Sequence, residues 1–234
     1  MGIPMRKFIL STLIIAGAVF AGAAAPAHAG LSLVTSVGAL GANDSIDWGQ
    51  LGPTFTVLSS PQSVTSAGGL GAVVSSAGGV FERRDEMNGW AGNIGAEGTA
   101  LLWNQQVGPD ITLTFAHPVF GAGAQIQADY YGGFTAQILA SNGAVLGSFT
   151  ENGTSDCCSN TAIFIGLLST TANIASIEFT LTAAAYDTTS DFAIGPVALT
   201  TGVPELGTWA MMIIGFGGVA LQLRRRTGAM AIAA

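Results

Sequence analysis

Apolar and polar residues alternate through the middle of the chain. Ile111, Leu113 and Phe115 fall on one side of an extended segment, and Thr112 and Thr114 fall on the other. That period of two is the mark of a half-buried strand. Ile177-Glu178-Phe179-Thr180-Leu181-Thr182 repeats it, with Glu178 outward. Residues 134–140 alternate less cleanly and are followed by Ser141-Asn142-Gly143 and then by 144–150. Two apolar runs around Asn-Gly predict a hairpin. Further strands are expected at 54–58, 162–168, 192–194 and 197–199, the last two around Gly195-Pro196. Residues 66–80 hold Gly, Ala, Ser and Val with few anchors and read as a loop or a pair of thin strands. No fixed-period repeat supports a solenoid. The pattern predicts a mainly β fold, an antiparallel β-sandwich or jelly roll.

Both ends depart from this alternation. Arg6-Lys7 precede an apolar run from Phe8 to Ala25, and Pro26 precedes Ala27-His28-Ala29. A basic stretch, an apolar helix and a small-x-small site make up a secretory signal peptide, residues 1–29, with cleavage expected at Ala27 and Ala29. Its reading implies the Sec machinery and signal peptidase as partners. The passenger domain then spans 30–202, enough for a core without disulfide staples. At the other end, residues 206–223 form an uncharged apolar segment, the lower end of what crosses a bilayer as a helix. Trp209 sits near its outer end, where an indole favours the interface, and Arg224-Arg225-Arg226 close it. By the positive-inside rule the arginines stay cytoplasmic and the passenger lies outside the inner membrane.

Pro204, Glu205, Trp209, Ala210, Met211, Met212, Gly215, Phe216 and Arg224, Arg225, Arg226 together resemble the PEP-CTERM sorting signal, in its PEPxxWA form found in proteobacteria. The same segment is also labelled an ice-binding-protein C-terminal domain, which describes a tail and not an antifreeze activity. The resemblance covers residues 203–226 and leaves 227–234 as a short extension. It implies recognition by an exosortase, cleavage near Pro204-Glu205, and transfer from transient anchoring in the inner membrane to the cell surface or the exopolysaccharide matrix. Leu206 stands where the family usually has a second proline. A proline there would hold the chain extended before the helix, so leucine implies slower processing. Phrases within the passenger are similar to those of other secreted PEP-CTERM proteins: Asp47 to Gly52, Trp90-Ala91-Gly92-Asn93, Leu101-Leu102-Trp103 and Gly121 to Gln127. The close, 177–179 followed by 191–194, is similar to the last strands of carbohydrate-binding-module-like sandwiches. That likeness implies a fold and no activity.

Charge narrows the function classes. Of seven basic residues only Arg83 and Arg84 belong to the passenger, which has no lysine; thirteen of fourteen acids do, leaving it near −11. Such a surface repels phosphate backbones, so no nucleic-acid partner is expected. The passenger's single histidine, His117, stands beside Pro118 and reads as a turn residue. Without a second histidine or a lysine, the usual nucleophile–base sets lose their parts. The expectation is a non-enzymatic exported surface or matrix protein. One alternative is a carbohydrate-binding-module-like surface protein, holding exopolysaccharide through Trp48, Trp90, Trp103, Tyr130 and Tyr131. Another is a secreted polysaccharide hydrolase, which would need only two carboxylates.

Three smaller features complete the inventory. Cys157-Cys158 are adjacent, a candidate for a vicinal disulfide stapling its own loop, with pairing between chains second. No cofactor is expected except calcium, for which Asp44 with Asp47 and Asp187 with Asp191 are candidate oxygen ligands. Glu82-Arg83-Arg84-Asp85-Glu86 is the one dense charge run and reads as a solvated loop with internal pairing.

Overall fold

A computed structural model describes residues 30–90, 94–156 and 161–202. The leader with Ala27 and Ala29, the Cys157-Cys158 pair and the whole sorting segment from Pro204 to Arg226 lie outside the described residues. Among the described residues no helix is long and apolar enough to cross a membrane.

Alternation produces strands nearly throughout. In chain order the first five are β1 (Leu31–Val34), β2 (Asp44–Ile46), β3 (Val57–Ser59), β4 (Gln62–Thr65) and β5 (Gly71–Ser75). Next come β6 (Val80–Glu86), β7 (Gly89–Trp90), β8 (Ala100–Trp103), β9 (Asp110–Val119) and β10 (Gly121–Ala128). The hairpin β11 (Gly132–Ser141) and β12 (Val145–Ser155) follows, then β13 (Ile163–Ser169), β14 (Ile174–Ala184), β15 (Phe192–Ile194) and β16 (Val197–Thr200). Among the described residues one short α-helix, α1 (Val37–Leu40), and two 3-10 turns, Trp48–Leu51 and Ala185–Asp187, interrupt them. Ser36 caps α1 by accepting from the Ala39 amide at 3.2 Å, and Gly41, at φ 62°, ends it in the left-handed conformation that glycine adopts without steric cost.

The strands form two sheets. One orders β1-β13-β10-β15-β8-β6-β3, with β16 pairing both β10 and β2, and β7 added beside β6; the other orders β12-β11-β14-β9-β5-β4. Pairing is antiparallel except between β6 and β7. Two short strands run along one side of β10 because Gly195-Pro196 interrupts them: Phe192 pairs with Ala128 at one end, and Thr200 pairs with Gly121 at the other.

The inner faces meet in one apolar core. Phe81, Leu102, Ile126, Phe192 and Ile194 come from the larger sheet, and Val74, Ile111, Leu113, Ile138, Phe179 and Leu181 come from the smaller. The chain is thus a mainly β sandwich, as the alternation predicted. Trp48 is fully buried in the core and its indole N–H donates to the Gly195 carbonyl at 2.8 Å. The outer face of the larger sheet is covered too. Gly123 faces Gly166 so closely that a Cβ on Gly123 would stand 2.5 Å from the Gly166 Cα and 2.8 Å from the Phe164 ring. The absent side chains let that ring lie over the sheet, where it packs with Val34, Leu40 and Ala198.

Three sequence expectations need correction. The run Glu82-Arg83-Arg84-Asp85-Glu86 is not a solvated loop but the body of β6, with Glu82, Arg83 and Glu86 buried. Its charges survive burial because they are partnered. Arg83 pairs with Asp85, Arg84 pairs with Glu82 at 2.6 Å, and the Glu86 carboxylate accepts from the Ile94 amide at 2.7 Å. His117 is not in a turn either: it lies with Pro118 inside the end of β9, on the exposed side. The strand expected at 54–58 begins only at Val57, and residues 66–80 resolve into β5 with turns on both sides.

Candidate functional site

Strand direction sorts the loops into two groups. β8 and β10 end, and β9, β11 and β15 begin, at the same edge of the sandwich. The loops 104–109, 129–131 and 185–191 therefore converge there. Their contacts are direct. The Asp129 amide donates to the Asp191 carbonyl at 3.0 Å, Ser190 Oγ donates to the Gln106 carbonyl at 3.3 Å, and the Tyr130 and Tyr186 rings lie 6.0 Å apart, tilted by 60°.

Asp191 organises this edge. Its carboxylate is fully buried and accepts from Trp103 Nε1 at 2.8 Å and Gln106 Nε2 at 2.7 Å. Burial raises its carboxyl above the ordinary value; the Trp103 and Gln106 bonds pull the other way, and the charge on Asp129 adds to the rise. Asn104, also fully buried, donates to the Gly108 carbonyl at 2.8 Å and accepts from the Phe192 amide at 3.2 Å, closing the 104–109 turn. These bonds hold unusual backbone. Gln105 and Gln106 have φ of 56° and 62°, and Tyr186 and Asp187 have 59° and 56°. Left-handed conformation costs a non-glycine residue on the order of 1 kcal/mol and persists where its surroundings fix it. Here Gln105 Nε2 donates to Glu82 Oε2 at 2.6 Å, and Thr188 Oγ1 donates to the Ala185 carbonyl at 2.8 Å.

The tryptophans and tyrosines have separate fates. Trp48 is core. Trp90 Nε1 donates to Gln127 Oε1 at 2.9 Å, and Gln127 in turn donates to Ser155 Oγ at 3.1 Å. The Trp103 ring is stacked by the Arg84 guanidinium, 4.6 Å from its centroid, and Phe55 lies on the same guanidinium at 4.9 Å. Each tryptophan is thereby committed to the protein. The tyrosines are not: Tyr130 is 43% exposed, Tyr131 52% and Tyr186 83%. Tyr186, which no local pattern singled out, is the most open aromatic of the three. Only the contact with Tyr130, across the gap between two loops distant in sequence, reveals its place.

The calcium candidates are dispersed. Asp44 accepts from Ser66 Oγ at 2.5 Å and from the Gly68 and Ser45 amides at 2.7 Å. Burial raises its carboxyl, but these three bonds together bring it below the ordinary value. Asp47 caps a turn through the Gly49 amide at 2.6 Å. Asp191 has both oxygens bonded, whereas Asp187 is exposed. Among the described residues, no group of three or more His, Cys, Asp or Glu side chains is gathered as for a metal.

No family model and no curated protein matches this chain. CsCBM6-3 from Clostridium stercorarium, solved in complex with cellobiose, is similar at 12% identity with a TM-score of 0.22, over 64% of this chain and 99% of that one. So low an overlap transfers neither ligand nor site.

The opposite edge holds the ends of the described chain. Gly202 follows β16, whose Thr200 pairs with the first residue of β10, and Gly30 precedes β1, whose Leu31 pairs with Ser169 at that edge. Asn43 clasps the exit: its Nδ2 donates to the Thr201 carbonyl at 3.1 Å and its Oδ1 accepts from the Thr201 amide at 2.9 Å. The length of β10 separates this edge from the tyrosines by about 25 Å, at ~3.3 Å per residue.

Proposed function

We propose that this chain is an exported carbohydrate-binding protein of the cell surface or exopolysaccharide matrix, gripping a glycan at the Tyr130–Tyr131–Tyr186 edge. The observation that carries the reading is the group of three exposed tyrosines on loops tied together by the Asp129 amide to the Asp191 carbonyl, the Asp191 amide to the Thr188 carbonyl and Thr188 Oγ1 to the Ala185 carbonyl. Exposed aromatic area is costly in water, and flat amphipathic rings match the apolar faces of sugars while their hydroxyls reach ring oxygens. Rigid loops lose little entropy on binding. In its finer topology we read the sandwich as a jelly roll, since successive strands from β8 to β11 change sheet each time.

The sequence supports the address: a leader removed after Ala29, and a PEP-CTERM-like tail cut by an exosortase near Pro204-Glu205. An intact C-terminus through Arg226 on the surface-exposed protein, weighed by mass spectrometry, would sink that part of the reading. For the site, affinity electrophoresis in soluble polysaccharides is the test. Tyr130→Ala and Tyr186→Ala should each weaken retention about tenfold, about 1.4 kcal/mol, without moving Tm. Retention unchanged in both variants would refute the site.

A further inference from the structure

The tyrosine edge has a charge pattern that selects among glycans. Asp129 immediately precedes Tyr130, and Asp187 immediately follows Tyr186. Asp187 is exposed and Asp129, though at the surface, is partly shielded, with the charge of Arg84 acting on it; among the described residues no side-chain hydrogen bond to either carboxylate is seen. Each aspartate is thus the sequence neighbour of one ring of a contacting aromatic pair. The passenger holds two cations in all. Arg83 is bound to Asp85, and Arg84 is locked between Phe55 and Trp103 with Glu82 on its Nε. The passenger has no lysine and both arginines are engaged by other side chains, so a uronic-acid chain would meet mostly like charge.

Resting on the carbohydrate-binding reading above, we propose that this edge takes a polysaccharide with free amino groups, its rings on Tyr130 and Tyr186 and an ammonium group beside Asp129 and Asp187. Charge complementarity selects this occupant over a neutral glucan. An ammonium group near the carboxylates gains charge-assisted hydrogen bonds, and the tyrosine faces attract the same cation. N-acetylation removes the charge and both gains. The long-range field of a passenger near −11 steers a polycation toward the protein but cannot by itself make a site.

Three probes against the purified full-length chain separate the outcomes: a glucosamine hexamer, its fully N-acetylated form, and cellohexaose. The glucosamine hexamer should bind at least tenfold tighter than the acetylated one. The Asp129→Asn/Asp187→Asn double variant, and separately about 0.5 M salt, should erase that difference. Tyr130→Ala/Tyr186→Ala should abolish binding of every probe. Equal affinity for the amine and its acetylated form overturns the amine preference and leaves the glycan site standing. A preference that survives in the double aspartate variant, or amine binding that survives loss of both tyrosines, overturns it as diffuse attraction. Binding of none of the three overturns both the preference and the carbohydrate reading.

Discussion

Arg84 shows how one residue can decide what its neighbours are free to do. Its guanidinium fills the space between Phe55 and Trp103, neutralises the buried Glu82 and donates to the Gly89 carbonyl at 3.0 Å. A planar cation suits this slot, where a lysine ammonium would satisfy the charge but not the stack. Arg84→Ala should lower stability by about 2–3 kcal/mol in chemical denaturation, because Glu82 would be left buried without a counter-charge. Arg84→Lys should recover part of that loss. A variant Arg84→Ala as stable as the parent would show that water already reaches Glu82. The same residue stacks on the half-buried Trp103, attractive in sequence as a sugar platform, while Tyr130 and Tyr131 are open.

At the scale of elements, β12 is the long free edge of the smaller sheet, eleven residues with no lysine or proline to discourage a second strand. Its protection is Glu151, which lies in the inward register opposite Ala136 and leaves Oε2 buried without a partner. Burial raises this carboxyl above its ordinary value. An inward charge on an edge strand trades stability for resistance to edge-to-edge pairing. Glu151→Val should raise Tm by about 2 °C and, in sedimentation, bring on concentration-dependent self-association. A variant that stays monomeric at high concentration would assign edge protection elsewhere. The hairpin bearing this strand was legible from Asn142-Gly143, as β9 was from Ile111, Leu113 and Phe115, because local alternation and turn chemistry suffice for both. β6 was not legible. A run of five charges becomes a buried strand only when β8, β3 and the Gln105 loop supply partners, and those contacts are distant in sequence. Tyr186 escaped for the same reason: its exposure and its neighbour depend on where the 129–131 loop comes to rest.

For the whole molecule, the balance of carboxyls sets an unusual response to acid. Burial raises Asp129, Glu151, Glu178 and Asp191 above their ordinary values, with Arg84 opposing the rise at Asp129 and Asp110 adding to it at Glu178. Among the described residues Asp44 is shifted the other way, below its ordinary value. A carboxyl raised in the folded state binds its proton more readily folded than unfolded, so its contribution to stability is present at low pH and is lost as pH rises through the raised value. Tm should therefore increase as pH falls toward the values of the raised carboxyls and before the lowered Asp44 takes up its proton. Thermal melts across that range check it. A midpoint that falls steadily on acidification would mean that partnered carboxylates outweigh the buried ones.

If the chain is exported and cut as proposed, the clasp of Asn43 on Thr201 has a consequence for the order of events. It fixes the exit of the C-terminal segment at the edge opposite the tyrosines, so whatever holds or cuts the residues after Gly202 works at a distance from any bound glycan. Maturation and ligand capture then need not compete for the same surface. A chain still tethered could already be loaded with polymer, and its release would carry the cargo along with it.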